Sequence, residues 1–314
     1  MVTFFIRSLS PLQRIFFLIG IAFLVGGVTS ILGVNLLKVL YGLSLPQDYE
    51  MLKDYDKPWI VGANKFLLFT QHLGFMVLPG FILVYLSGTK NLILSSPKRN
   101  LLIAAVALGL VLYPAVTFLS YINQQIPLSE SLLEMEKSAG LFTMAIVRAP
   151  DLATLCVNLF LVALVPAVGE ELVFRGILQR EIHLFTKNGW TAVVLSAFIF
   201  SALHMQFGGF IPRFVLGLVL GWIFLRTGNL VLSMAMHFAN NALALFLVHW
   251  LQPSTADVNE FDIPDYDLGS IVLTVGSFAL GGLIIYWLNK KSARAMEPII
   301  VEVPVTADEE EKED

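Results

Sequence analysis

The stretch LCVNLFLVALVPAVGEELVFRGIL, residues 155–178, decides the fold. Its first two thirds carry no charge, and Glu170, Glu171 and Arg175 then follow inside the same apolar run. About 20 mostly apolar residues cross a hydrocarbon core. An ionisable group at the centre of such a span costs roughly 2.5–3.5 kcal/mol on insertion scales. The two acids and the arginine must therefore be satisfied inside the protein. The rest of the chain agrees: 56% of its 314 residues are hydrophobic and 14% charged, against about 25% charged in soluble domains, and mean hydropathy is +0.76. These values predict an all-α protein, a polytopic transmembrane helical bundle. No basic stripe for nucleic acid occurs.

Eight stretches read as spans: roughly 12–38, 65–88, 100–122, 152–180, 190–206, 210–226, 229–250 and 268–289. The first is too long for a signal peptide and reads as a retained span. Gly208-Gly209, between the fifth and sixth, reads as a tight turn or a re-entrant bend. Lys and Arg gather in alternate connections (Arg7 and Arg14; Lys90, Lys98 and Arg99; Arg180 and Lys187; Arg226; Lys290, Lys291 and Arg294). The others are acidic, with Asp48, Glu50, Asp54 and Asp56, then Glu130, Glu134 and Glu136, then Asp257, Glu260, Asp262, Asp265 and Asp267. The positive-inside rule then predicts both termini in the cytoplasm. Residues 1–294 read as one membrane domain. Residues 295–314, ending Asp-Glu-Glu-Glu-Lys-Glu-Asp, read as a disordered acidic cytoplasmic tail. Cys156 alone makes neither a disulfide nor a cysteine metal site, and reads as a small buried apolar residue.

Three polar patterns fall in separate spans. Glu171 and Arg175 are four apart and share a helix face, while Glu170 is turned about 100° away. One carboxylate held by a guanidinium beside a freer one suits acid–base work; a helix-locking network without chemistry is the alternative. His204 follows Phe200 by one turn, so the ring can pack on the imidazole. His237 and Asn241 share a face and can both donate to one atom, which suits an oxyanion, or can simply bond neighbouring helices. Asn240 covers part of that face. Gly217-x-x-x-Gly221 reads as close helix packing. Gln71 and His72 read as packing or a substrate path rather than catalysis, and His183 and His249 as solvated.

Together, Glu170-Glu171-x-x-x-Arg175, Phe200-x-x-x-His204 and His237-x-x-x-Asn241, in that order on separate spans, resemble the CPBP family of type II CAAX prenyl endopeptidases and bacterial Abi proteins. The run Arg-Thr-Gly-Asn-Leu at 226–230 adds to the likeness, which covers about 150–250. The resemblance implies an intramembrane endopeptidase in a bacterial inner membrane. Glu170 would activate water with help from His204, His237 and Asn241 would stabilise the oxyanion, and Glu171, Arg175 and Phe200 would support them. It also implies a site opening inward, and as substrate a membrane protein segment or a lipidated peptide.

No cofactor is favoured. If a metal such as zinc were bound, Glu170, His204 and His237 would be its ligands, although the His-Glu-x-x-His pattern is absent. Two other functions remain open: a non-catalytic immunity or scaffold protein, and a transporter, against which stands the lack of repeated halves.

Overall fold

A computed structural model describes residues 6, 8–88, 93–251 and 266–292. The expectations for Arg7, Lys90, Arg294, Asp257, Glu260, Asp262, Asp265 and the tail lie outside the described residues. The helices are α1 (Pro11–Tyr41), α2 (Pro58–Leu86), α3 (Arg99–Gln124), α4 (Glu130–Val147), α5 (Leu152–Thr186), α6 (Gly189–Ala202), α7 (Phe207–Thr227), α8 (Leu230–Leu251) and α9 (Leu268–Lys291). No strand occurs among the described residues.

Local signals set the ends. Ser10 accepts from the Gln13 backbone while the Gln13 side chain accepts from Ser10 N–H, a capping box that starts α1. Asp151, Asn188 and Asp267 cap α5, α6 and α9 through the backbone N–H three residues on. Gly228, at φ 64°, ends α7 in the left-handed conformation glycine favours.

Seven of these helices are long and apolar enough to cross a membrane, and all but α6 and α4 are among them. The chain is a multi-pass helical membrane protein. The eighth expected span is corrected: α6 has 14 residues, about 21 Å of rise, short of a core roughly 30 Å thick. It ends at Ala202 rather than 206 because the chain reverses there. Met205 takes φ 53°, Phe207–Gly209 forms a tight turn, and Ser201 Oγ donates to Phe210 O at 2.7 Å.

Burial orders the helices. Only 11% of the α1 window and 17% of the α9 window are buried, against 39–44% for α5, α7 and α8. The apolar faces of α1 and α9, with Phe23, Leu24, Val272 and Leu273 exposed, suit lipid. Cys156 is exposed too, not buried as expected. The centre is α5, packed on α2, α6 and α8. Around it α6 lies on α7, α3 on α8 and α1 on α2.

Two wide π turns, Leu73–Val77 in α2 and Leu159–Leu164 in α5, immediately precede Pro79 and Pro166. A proline removes an N–H from the ladder, and the preceding turn opens. A third π stretch covers Leu172–Gln179.

The helix α5 also runs to Thr186, so Arg180 and Glu181 sit on it rather than in a loop. Glu181 is 2% exposed and meets Arg180 at 3.2 Å and Arg14 of α1 at 3.3 Å. His183 is likewise buried, not solvated. Glu181→Ala leaves two arginines facing each other with one of them buried. A loss of about 3–5 kcal/mol is expected, seen as a lower melting temperature in detergent.

Between α3 and α5 the expected acidic loop contains α4, an 18-residue helix. It packs on α2 and on the turn before α7. Its four charges, Glu130, Glu134, Glu136 and Lys137, keep it out of the spans. It forms a wall of the site below.

Candidate active site

A cavity of about 290 Å³ lies among α2, α4, α5, α6, α7 and α8. Glu170, Phe200, His204, His237 and Asn241 all line it. So do His72 and Arg213. The three sequence patterns therefore converge, and Glu170 faces the space.

Glu171 and Arg175 stand behind that wall, both fully buried. Arg175 Nη1 donates to Glu171 Oε1 at 2.9 Å, and Nη2 to Gly217 O at 3.2 Å. The guanidinium also lies 4.7 Å from the centre of the Phe200 ring, a cation–π contact. Gly217 and Gly221 serve this arrangement. A Cβ on Gly217 would meet Ala197 at 3.1 Å, and the bare backbone leaves both carbonyls open to Arg175 and to Gln179 (2.9 Å).

The two histidines are oriented differently. His237 Nδ1 lies 3.0 Å from Glu171 Oε1. A carboxylate only accepts, so Nδ1 carries the hydrogen and Nε2 turns to Glu170 Oε2, 3.8 Å away. His204 Nδ1 donates to Phe200 O at 2.8 Å, which leaves its Nε2 free. Phe200 packs edge-on against both rings, at 5.0 Å and 6.2 Å between centres.

The turn that carries His204 is tied down from several sides. Asn123 donates to Phe207 O at 2.7 Å and accepts from Ile211 N at 2.7 Å. Glu136 of α4 accepts from Phe207 N, and Arg213 donates to Gln206 Oε1 at 3.0 Å. The helix α6 ends at Ala202, and the turn brings His204 into the cavity beside His237.

Asn241 donates to Val162 O at 3.3 Å. A carboxamide has two N–H groups, so one remains for a ligand. Asn240 is buried and does not line the cavity.

Sequence reasoning set His72 aside. Its Nε2 lies 3.1 Å from Glu170 Oε1, so it holds the carboxylate oxygen that His237 does not face. The signal was present: His72 is an ionisable residue within a span, the criterion that singled out the other two. A second cavity of about 860 Å³ is lined by Lys53–Asp56 and by Arg148 and Pro150.

Among the described residues no group of three His, Cys, Asp or Glu side chains is arranged to hold a metal. Glu170 is flanked by imidazoles at hydrogen-bonding and ion-pair distances.

No curated protein and no solved structure matches the chain. Residues 152–243, which supply every group named for the first cavity except His72, match the family model described as type II CAAX prenyl endopeptidase Rce1-like. Over that stretch the chain is similar to the CPBP family of intramembrane proteases.

Proposed function

We propose that this protein is a glutamate-dependent intramembrane endopeptidase that cuts a peptide bond in a membrane-associated or lipidated substrate, in a bacterial inner membrane. The observation that carries this reading is the Glu170 carboxylate, held at one oxygen by His72 and aimed into a cavity shared with His204, His237 and Asn241.

In the proposed reaction, water sits between Glu170 and His204 Nε2. Glu170 takes a proton as the water oxygen bonds to the scissile carbonyl carbon. The oxyanion receives the free N–H of Asn241 and a proton-bearing Nε2 of His237. The second donor requires the doubly protonated ring, because the Nδ1 hydrogen is spent on Glu171. Glu170 then passes its proton to the leaving nitrogen as the C–N bond breaks. No step is routed through a metal.

The test is digestion of a pool of membrane-segment and prenylated peptides by the purified protein, read by mass spectrometry with and without chelator. Fragment pairs whose masses sum to substrate plus water, unchanged by chelator, are the expected result. Loss of cleavage on chelation with recovery on zinc addition overturns the metal-free reading. Absence of cleavage by folded protein favours a peptide-binding scaffold.

His72→Leu keeps bulk but frees one oxygen of Glu170. Turnover should fall about 10- to 100-fold, the scale of a misplaced catalytic group, with KM little changed. Unaltered kcat assigns His72 to packing.

A further inference from the structure

The helix α4 is held at two places along its length. Of its 18 residues only Glu136 and Ile146 are buried. The end near Ile146 is clamped to the bundle. Asn158 of α5 donates to Val147 O at 2.8 Å, and His249 Nδ1 of α8 donates to Ala149 O at 2.6 Å. The first half buries no apolar side chain, and Leu133 and Met135 are exposed. Its one buried group is a carboxylate: Glu136 accepts from Phe207 N, in the turn that carries His204. A buried carboxylate is costly unless it is hydrogen-bonded, so the seat of this half depends on that N–H.

The turn is shaped for the contact. A Cβ on Gly208 would meet Glu136 Oε2 at 3.0 Å, and the bare backbone leaves the room. Asn123 and Arg213 bond the turn at other groups, the Phe207 and Gln206 carbonyls and the Ile211 N–H. Met205, next to His204, takes φ 53°. That conformation is unfavourable for a residue with a side chain and persists where neighbours enforce it. The same helix reaches the cavity: Phe142, Thr143, Ile146 and Val147 of α4 line it. Phe142 lies six residues after Glu136, about 9 Å along the helix. Glu136 falls outside the stretch 152–243 that matches the family model.

We infer that α4 is a lid over the catalytic cavity, hinged at 147–149, and that Glu136 is its latch on the His204 turn. This rests on the reading of His204 as a partner of Glu170 in water activation. Closing the lid seats Phe142 and Thr143 on the cavity and supplies the acceptor that fixes the turn. Opening it frees Phe207 N and releases the His204 imidazole from its place. Glu136 is therefore a positioning residue: the water-activating pair is complete only under a closed lid. Lids that finish a catalytic arrangement as they exclude water commit the substrate to reaction.

Three measurements on the full chain in detergent test this. Spin labels on Leu133→Cys and Leu268→Cys, both exposed, with the exposed Cys156 changed to Ala, report the position of the lid. They should give one main distance with Glu136 in place and a second population in Glu136→Ala. Amide exchange at Phe207 should be about tenfold or more faster in Glu136→Ala, as loss of a hydrogen bond to a charged group allows. On a peptide that wild type cuts, kcat should fall about tenfold or more in Glu136→Ala, with KM within about threefold. Glu136→Gln should restore all three, because its carboxamide oxygen still accepts. If Glu136→Ala does not fold, Gly208→Val, which crowds the latch from the other side, takes its place with the same expectations. An unchanged distance or unchanged Phe207 exchange overturns the latch. Glu136→Gln that behaves as Glu136→Ala overturns the hydrogen bond as its basis. A loosened lid with wild-type kcat overturns the positioning role. A wild type that cuts no peptide contradicts the endopeptidase reading alone, and distance and exchange still decide the latch.

Discussion

Arg175→Ala should cost the fold about 3–5 kcal/mol, the price of leaving a buried charge without its partner. Against a net stability of about 5–15 kcal/mol, that removes much of the folded yield. Arg175 is fully buried and joins three elements: Glu171 on its own helix, the Gly217 carbonyl on α7 and the Phe200 ring on α6. Its loss leaves Glu171 with His237 as its remaining partner. Glu171→Ala should act in the same direction, by stranding the guanidinium. Arg175→Lys should not rescue, because an ammonium lacks the planar fork that reaches both acceptors. Replacing both, Glu171→Leu with Arg175→Met, should recover much of the loss, since a buried pair exchanged for apolar groups is often neutral. Thermal unfolding in detergent checks the set. Melting temperatures for both alanine variants within a few degrees of wild type contradict the pairing argument.

Glu170→Gln should behave in the opposite way, keeping the fold and losing the chemistry. The amide keeps the shape of the carboxylate and can still accept from His72 through its oxygen. Its hydrogen-bonded neighbour is the His72 imidazole, and the Arg213 guanidinium that also lines the cavity is bonded to Gln206, so neither loses its partner. What disappears is the base. General acid–base catalysis is worth typically about 10²–10⁴-fold, and turnover should fall by at least that much at an unchanged melting temperature.

The helices were legible in the sequence because a bilayer leaves little choice: backbone groups in lipid must be bonded within the segment. Seven apolar runs became seven spanning helices. The eighth was misjudged because apolar composition measures burial, not length; 203–206 is apolar enough to continue α6, yet the chain turns there to carry His204. The helix α4 was hidden by its charges. Glu136 looked like loop acid and instead accepts a backbone N–H of the His204 turn.

Within the site, Glu171 and Arg175 were readable because i,i+4 spacing fixes a shared face, and Glu170 because its neighbour was accounted for. Gly217 and Gly221 were readable as packing, but not as the source of carbonyls for Arg175 and Gln179. The partnership of His72 with Glu170 spans 98 positions. No local pattern encodes it, and only the packing of α2 on α5 brings the two together.

The central claim is that Glu170 activates water inside the membrane domain. Its most direct test is digestion of one membrane-segment peptide in heavy-oxygen water, by wild type and by Glu170→Gln matched for melting temperature. Wild type should release fragments whose new carboxyl terminus carries the heavy oxygen, and Glu170→Gln should release none. Labelled fragments from Glu170→Gln at a rate near wild type would contradict the account.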